Sequence, residues 1–377
     1  MTPRYKSDLK LVDWVQALTL SSERNIDGIA ELLGSTNFLL TASASDALHH
    51  CLRQIAVSGR VILSAYTCFR VVQAIRSAGW EPVYIDIDPG TLRMLRSPVF
   101  SELRRCSGIP KVLLVTHLYG IPSFDEELLE AARRSRAKVI EDCAMSLGAS
   151  VGTVPVGSFG DYAIFSFGLG KLFSLGGGGA LLSNNSSVPT ISEGRVVAGG
   201  FLLQLLSRTG VVGSARFWMQ EKVKEMLCHL NKTVAHEHGT YKVSVLDVWA
   251  TSYFARLLGS PRLSIRLDQQ RSKSRYWYDK LDEISLKNIS TFRPDKSHQV
   301  CYPGLPLLVS EPDRLRSALR REGIDSACYF NYTAARVDGS RKSYKGAEQL
   351  AKSIVTVPVY SEVKHIESRI LRVLTSH

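Results

Sequence analysis

Residues 165–179, FSFGLGKLFSLGGGG, place a single lysine in an apolar, glycine-rich run. Lys171 has no acidic residue nearer along the chain than Asp161. Burying an unpaired ammonium group costs so much free energy that such a group tends to lose its proton. A lysine that is deprotonated, or bonded to a carbonyl carbon as a Schiff base, removes that cost. The pattern therefore indicates carbonyl chemistry at Lys171.

Polar residues follow the strand-like segment FLLTA (38–42), where Ser43, Ala44 and Ser45 lead into a helical segment. Ligands of a parallel sheet bind at the carboxyl ends of its strands. Free backbone N–H groups and hydroxyls at a helix start could therefore bind an anion here. The alternative is that Ser43 only caps the helix, and the residues leave both possibilities open.

Two more strand ends carry candidate ligands. Asp142 ends AKVIED (137–142) and could hold a protonated heterocyclic nitrogen, although a surface turn acid would look the same. Ser166 lies near the end of DYAIFSF (161–167), five residues before Lys171. An anion cradle, a strand-end aspartate and a glycine-flanked lysine, in this order, fit pyridoxal 5′-phosphate. That cofactor needs a phosphate site, a partner for its pyridine nitrogen and a lysine for its aldehyde.

Two other segments lack the residue spacing that a phosphate-binding loop or a metal site requires. The segment GLGK is not a phosphate-binding P-loop, because Phe165 stands where that motif needs glycine and Leu172 where it needs Ser or Thr. The residues HEH (236–238) have no third ligand at metal spacing, so we expect a loop there and no metal site.

Helical and strand-like segments alternate through the first part of the chain, which predicts βαβ units and a mainly parallel sheet. The runs VILS, VLLV and KVI are apolar throughout, as strands covered on both faces require. The predicted helices are 45–56, 68–79 and 123–136, and the predicted strands are 38–42, 60–64, 81–88, 111–118, 137–142, 161–167 and 178–184.

Long helical segments replace this alternation after residue 185, which indicates a change of architecture. The predicted elements there are helices at 213–230, 243–258, 265–284, 312–322 and 345–353 and a strand at 302–309. We therefore expect an α/β protein with a large domain of residues 1–240 and a smaller α+β domain of residues 241–377.

The composition excludes several classes of protein. The 377 residues are 45% hydrophobic and 22% charged, as in globular domains, and no stretch approaches about 18 consecutive apolar residues. The seven cysteines show no metal-ligand spacing, and we expect them to be reduced in the cytoplasm. The net charge of +12 is dispersed and no nucleic-acid-binding motif accompanies it, so an anionic small substrate explains it better than nucleic acid.

The chain resembles the DegT/DnrJ/EryC1/StrS family of pyridoxal-phosphate sugar aminotransferases from about residue 30 to the C-terminus. The blocks between residues 139 and 184 are specific in combination. The matching stretches are SASDAL (43–48), SAYT (64–67), GWEPVYIDIDPGTL (79–92), THLYGIP (116–122), VIEDCAMSLGA (139–149), VGSFGDYAIFSF (156–167), GLGKLFSLGGGGALLSN (168–184), GIDSACYF (323–330) and VPVYSEV (357–363).

The resemblance implies fold type I, with a mainly parallel sheet of the seven-stranded type in the large domain. It makes Lys171 the lysine that binds the cofactor aldehyde and Asp142 the partner of the pyridine nitrogen. Ser166 would bind the phosphate, together with Ala44 and Ser45 at the helix start. A homodimer is also implied, because the family builds its sites at subunit interfaces.

The chain departs from the family at positions that would touch the cofactor. Cys68 stands where an aromatic residue normally stacks on the ring, and Met145 where Gln or His normally bonds the phenolic oxygen. Thr240 replaces an asparagine that the partner subunit normally supplies. Apolar and basic residues share the helix FWMQEKVKEML (217–227), which we expect to pack on a partner subunit rather than on a membrane.

These features predict a pyridoxal-phosphate-dependent aminotransferase that moves an amino group from glutamate to a keto sugar, which we expect to be nucleotide-linked. Two alternatives are a lyase or dehydratase acting on a deoxysugar and a cofactor-binding scaffold without activity. The family's dehydratases replace the lysine with histidine, so the presence of Lys171 disfavours the first. The second alternative rests on Cys68 and Met145.

Lys171 is predicted to hold the cofactor covalently. Reduction of the purified, yellow protein with borohydride should therefore attach the cofactor to the peptide that contains residue 171, as read by mass spectrometry. The Lys171→Ala variant should lose turnover while it still binds cofactor through Ser166 and residues 43–46. Attachment at any other lysine would overturn the assignment.

Overall fold

Apolar runs in the first half of the chain form the central sheet in a computed structural model of the protein. The structure describes residues 26–105, 108–168, 170–173, 175, 177–185, 195–197, 241, 243–246, 248–284, 286, 288–292, 294–295, 297–359 and 366–376. The strands are β1 (Phe38–Thr41), β2 (Gly59–Ser64), β3 (Trp80–Ile85), β4 (Lys111–Thr116), β5 (Lys138–Asp142), β6 (Ser150–Val151), β7 (Val154–Pro155), β8 (Tyr162–Ser166), β9 (Gly179–Ser183), β10 (Arg195–Val197), β11 (Ser244–Leu246), β12 (Ile289–Thr291), β13 (His298–Gln299), β14 (Leu305–Val309) and β15 (Ile354–Val357).

Helices connect these strands and cover the sheet. They are α1 (Ile26–Leu33), α2 (Ala44–Ile55), α3 (Phe69–Ser77), α4 (Arg96–Arg104), α5 (Glu126–Arg134), α6 (Val248–Leu258), α7 (Pro261–Glu283), α8 (Pro312–Arg321), α9 (Ala334–Val337), α10 (Lys345–Ser353) and α11 (Ile366–Ser376). None of the helices in the described ranges has both the length and the apolar character that crossing a bilayer requires.

The central sheet has seven strands in the order β1-β9-β8-β5-β4-β2-β3, and within it only β9 runs antiparallel to its neighbours. Both faces are covered, because alternate residues of one strand pack on different helices. Val61 and Leu63 of β2 pack with α2 and α3, whereas Ile62 between them packs with α4 and α5. The polar residues at the carboxyl ends of the strands therefore lie at one edge of a sheet that is buried on both sides.

The C-terminal part of the chain adds a three-stranded sheet in the order β12-β14-β15, with α8, α10 and α11 around it. Its apolar core is continuous with residues of the large sheet's carboxyl edge. Tyr66, Tyr119 and Met145 lie in one buried cluster with Trp277 and Leu350. The C-terminal part is thereby packed directly over the ends of β2, β4 and β5.

Polar contacts strengthen this junction. The Asp86 carboxylate, which follows β3, accepts two N–H groups from the first turn of α10 at 3.1 and 3.0 Å. Arg76 of α3 binds both oxygens of Asp338 at 2.7 and 2.6 Å, and the Tyr84 hydroxyl donates to the same carboxylate at 2.8 Å. Asp86 thus completes the hydrogen bonding of α10, whose first N–H groups have no partner within the helix.

The α/β class and the mainly parallel sheet predicted from the sequence are confirmed. The segment 243–258 differs from its prediction as one long helix. It begins as the strand β11, which pairs with β10 in parallel, and becomes helical at Val248. The predicted helix 213–230 lies outside the described residues, and the division into residues 1–240 and 241–377 stays a prediction.

Candidate active site

Asp142 ends β5, and its side chain is buried at the carboxyl edge of the sheet. One carboxylate oxygen, Oδ1, accepts the Ala144 N–H at 3.1 Å, and no described residue donates a hydrogen bond to Oδ2. Burial raises the pKa of Asp142, although the Ala144 N–H and the positive charge of Lys171 oppose the shift. A cation placed against this carboxylate would lower the pKa of Asp142 instead. The site is therefore suited to a protonated ring nitrogen.

Lys171 lies half-buried in the turn after β8, and its charge acts on Asp142 across the sheet edge. The Lys171 N–H donates to the Gly168 carbonyl at 3.3 Å. Gly170 has a φ of +80°, a conformation that glycine adopts without a steric penalty. The fold thus supplies the acidic neighbour that the sequence around the lysine lacks.

The first turn of α2 presents the donors of an anion site. Ser43 is the N-cap residue, and its hydroxyl accepts the Asp46 N–H at 3.2 Å and donates to the Asp46 carboxylate at 2.6 Å. The N–H groups of Ala44 and Ser45 have no acceptor among the described residues. Unpaired N–H groups at a helix start attract phosphate. The Ser43 hydroxyl therefore caps the helix, and the two following N–H groups are available to a ligand.

Gly179 brings Ser166 to this helix start. It lies opposite Ser166 in the β8–β9 pair and opposite Thr41 in the β1–β9 pair. A Cβ atom at residue 179 would clash with the backbone of Ser43 and with the Ala44 nitrogen. Only glycine allows this approach, which places the Ser166 strand end beside the N–H groups of α2.

Cys68 and Met145, which replace the family's aromatic and amide residues, have different surroundings. Cys68 is the half-buried N-cap residue of α3, and the Tyr332 hydroxyl accepts the N–H of the next residue, Phe69, at 3.2 Å. Met145 is buried in the cluster that contains Tyr66 and Tyr119. Contact of either side chain with a cofactor stays a prediction.

Two threonine hydroxyls at the same sheet edge were missed by sequence reasoning. Thr67 follows β2, and Thr116 ends β4 directly beside Asp142 in the sheet register. The Oγ1 atom of each is buried and has no hydrogen-bond partner among the described residues. A buried hydroxyl without a partner costs free energy, so these atoms also indicate a missing ligand. Their position at strand ends was the available signal.

Glu141 faces away from its neighbour Asp142, as alternation along a strand predicts. Its two oxygens accept four hydrogen bonds between 2.7 and 2.9 Å, from the N–H groups of Gly157, Phe159 and Gly160 and from Nε2 of His117. Burial would raise the pKa of Glu141, but these hydrogen bonds hold it below its ordinary value of 4.5. Glu141 is therefore an ionised structural anchor.

The side chains of His117, Glu141 and Cys143 place their ligand atoms within 4.8 Å of one another, as in a metal site. His117 Nδ1 accepts the Ser123 N–H at 2.8 Å, so Nε2 must carry the proton that it donates to Glu141. Burial also raises the pKa of the Cys143 thiol well above its usual range. With both imidazole nitrogens in use and the thiol protonated, the group is a hydrogen-bonded cluster that does not suit a metal.

Residues 22–374 match the model of the DegT/DnrJ/EryC1/StrS aminotransferase family. The chain belongs to this family. It is a pyridoxal 5′-phosphate-dependent aminotransferase, and the expectation drawn from its sequence blocks is confirmed.

Two curated relatives illustrate the chemistry of the family. The chain is 24% identical over 354 residues to UDP-N-acetyl-3-dehydro-alpha-D-glucosamine 3-aminotransferase of Acidithiobacillus ferrooxidans, covering 92% of the chain and 85% of that protein. It is 32% identical over 162 residues to L-glutamine:scyllo-inosose aminotransferase of Streptomyces griseus, covering 42% of the chain and 37% of that protein. The first name describes a nucleotide-linked keto sugar, and the second a cyclitol ketone.

The fold agrees with solved structures. The PLP form of a Streptococcus pneumoniae protein named as a sugar aminotransferase superposes with a TM-score of 0.71 at 18% identity, covering 99% of this chain and 97% of that one. At this identity the likeness concerns the fold, and it confirms the arrangement of the sheet and the C-terminal part.

The residues of the aminotransferase fit its cofactor. The N–H groups of Ala44 and Ser45, with Ser166 beside them, would hold the phosphate, and Asp142 would face the pyridine nitrogen. Lys171 lies close enough to Asp142 for its charge to oppose the rise in the pKa of that carboxyl. A lysine that bonds to the same cofactor must also lie close to Asp142. Three residues or segments named from the sequence, 217–227, 236–238 and Thr240, lie outside the described residues.

Replacing Glu141 with Gln should destabilise the protein at neutral pH, because the amide cannot accept four hydrogen bonds. We expect a loss of about 2–4 kcal/mol in the free energy of unfolding, measured with urea. The folded pKa of Glu141 lies below the unfolded value, so the carboxylate contributes fully above pH 4.5 and loses this contribution as the pH falls through the folded pKa.

The deficit of Glu141→Gln should therefore shrink below pH 4.5. Glu130→Gln, which alters an exposed ion pair with Arg134, is the matched control and should change stability little at any pH. A deficit that stays the same down to about pH 3 would contradict the ionised state of Glu141.

Replacing Asp142 with Asn should lower turnover by about 10- to 1,000-fold, because a neutral amide cannot hold the ring nitrogen protonated. Turnover is measured at saturating cofactor so that weaker binding does not account for the loss. Correctly folded Glu141→Gln should keep most of its turnover, since Glu141 faces the opposite side of the sheet. Equal losses in the two variants would count against Asp142 as the ring partner.

Proposed function

We propose that this aminotransferase transfers an amino group from glutamate to the ketone of a nucleotide-linked sugar. The observation that carries the proposal is the meeting of Lys171 and Asp142 at one sheet edge, next to the free N–H groups of α2. The relative from Acidithiobacillus ferrooxidans, which spans most of the chain, acts on a UDP-linked keto sugar by its name, and this supports the sugar class.

Some residues of the site bind the cofactor, and Lys171 transfers the proton. The bound cofactor supplies an electron sink that makes the donor's α-proton acidic. Lys171, released as a free amine, takes this proton from the α-carbon and returns it on the cofactor side. Asp142 keeps the ring nitrogen protonated, and the N–H groups of Ala44 and Ser45 hold the phosphate. With the ketone as acceptor, Lys171 carries out the same proton transfer in the reverse direction.

A cofactor-binding scaffold without turnover is the second candidate. It is favoured by Met145, which is buried among apolar side chains and has no group to donate a hydrogen bond to a ring oxygen. Cys68, held near the Tyr332 hydroxyl, likewise provides no aromatic face. A lyase or dehydratase is disfavoured by the presence of Lys171.

The proposal includes a cytoplasmic homodimer. Support for the compartment comes from the cysteines, since Cys51, Cys68, Cys143, Cys301 and Cys328 are all free thiols in the described part of the chain. The dimer is supported by membership of the family, because its members complete their sites across a subunit interface. Thr240 would be the residue that the partner subunit contributes.

An amino donor without any sugar should drive the first half of the reaction if the proposal is right. Addition of glutamate to the yellow protein should bleach the visible band and release one oxo-acid per site. Lys171→Ala should show no bleaching, and Lys280→Ala, which alters an exposed ion pair with Glu283, should behave like the unaltered protein. Absorbance and oxo-acid are measured on the same sample.

The acceptor is then identified with a panel of ketosugar nucleotides and cyclitol ketones, one of which should restore the band. A protein that stays yellow with glutamate, glutamine and aspartate alike is the scaffold. Release of a sugar product without consumption of a stoichiometric donor would identify a lyase.

A further inference from the structure

Tyr329 joins two parts of the candidate site that are far apart in the chain. Its hydroxyl donates to the carbonyl of Gly170 at 3.1 Å, directly before Lys171. Its ring lies edge-on to the ring of Tyr119, with centroids 6.2 Å apart. Gly170 follows β8 and Tyr119 follows β4, so one side chain contacts the loops after two different strands.

The strand between these two is β5. Neighbouring strands lie about 4.8 Å apart, so β4 and β8 are separated by roughly 10 Å at this edge. Asp142 ends β5, between these two strands. Tyr329 therefore contacts the loops on both sides of the strand that carries Asp142.

The backbone around Lys171 has few other restraints. Phe167, at the start of this turn, is held by bonds of its N–H to the Gly178 carbonyl at 3.0 Å and of its carbonyl to the Leu175 N–H at 2.9 Å. Closer to the lysine, the Gly168 N–H lies 3.5 Å from the Ser166 hydroxyl and the Lys171 N–H bonds the Gly168 carbonyl at 3.3 Å. These last two bonds are local and long. Among the described residues, Tyr329 supplies the hydrogen bond that reaches this turn from a distant part of the chain.

Tyr329 is itself held by a rigid aromatic group. Tyr119 is fully buried at a φ of +56°, and its hydroxyl is hydrogen-bonded to that of Tyr66 at 2.7 Å. The ring of Phe330, which also lies against Tyr329, packs edge-on to Tyr66. An unfavourable backbone conformation such as that of Tyr119 persists only where the surroundings enforce it.

We propose that Tyr329 is a positioning residue for Lys171. Its hydroxyl fixes the carbonyl that precedes the lysine, and this holds the amine over the end of β5. The inference rests on the role of Lys171 in the proposed function, and it adds a residue of the C-terminal part to the residues that control the lysine.

The test compares two forms of the cofactor on cofactor-free protein. Pyridoxal 5′-phosphate bonds to the lysine, whereas pyridoxine 5′-phosphate has an alcohol in place of the aldehyde and binds without a covalent bond. In Tyr329→Phe we expect covalent capture, followed by stopped-flow absorbance, to slow about two- to tenfold, as for one lost hydrogen bond. The affinity for pyridoxine 5′-phosphate should stay within twofold, because the phosphate and ring contacts are unchanged.

Two further variants separate the hydroxyl from other effects. Tyr278→Phe removes a tyrosine hydroxyl that lies 3.4 Å from the Pro294 carbonyl, and it should capture the aldehyde at the normal rate. Tyr329→Leu removes both ring and hydroxyl and should slow capture at least as much as Tyr329→Phe. Normal capture by Tyr329→Phe would overturn the proposal, as would an equal loss of affinity for both cofactor forms.

Borohydride reduction after capture distinguishes failure of this inference from failure of the proposed function. Attachment of the cofactor at residue 171 with an unchanged capture rate would remove only the role of Tyr329. Attachment at a different lysine would remove both. Thermal unfolding of each variant, measured without cofactor, confirms that capture is compared between folded proteins.

Discussion

The four hydrogen bonds accepted by Glu141 are the constraint on which the geometry of the site depends. They hold the turn 157–160 and His117 against β5, and they make it possible to bury an ionised carboxylate there. Because side chains alternate along a strand, an anchored Glu141 directs Asp142 to the opposite face. A slip of one residue would exchange the two acids. The direction of the candidate ring partner is thus set by a residue that does no chemistry itself.

A second requirement is close backbone approach at Gly179. The antiparallel strand β9 lies between β1 and β8, and glycine at its first position lets the start of α2 approach the end of β8. The unpaired N–H groups of Ala44 and Ser45, which are the candidate phosphate donors, therefore lie near the turn that carries Lys171. A glycine run that looks like flexible sequence has a specific steric purpose here.

The C-terminal part of the chain packs over the carboxyl edge of the sheet, where the candidate site lies. Its apolar core merges with that of the sheet edge around Tyr119 and Met145, and the Asp86 and Asp338 carboxylates bond across the junction. A continuous core of this kind favours a fixed arrangement of the two parts. Tyr329 can therefore act on the lysine turn from a segment with no local connection to it.

The sequence by itself determined the α/β class, most of the helices and strands, and the order of the candidate ligands, including Lys171 and Asp142. These conclusions depend on periodicity, strand ends and glycine runs, which involve residues within a few positions of one another. Only the tertiary structure decided that the charge of Lys171 acts on Asp142, that the Ser43 hydroxyl caps the helix, and that Tyr329 bonds to Gly170. Such contacts join residues far apart in the chain, and they follow from the order of the strands and the packing of the C-terminal part. Local sequence patterns reveal neither the order of the strands nor the packing of the C-terminal part.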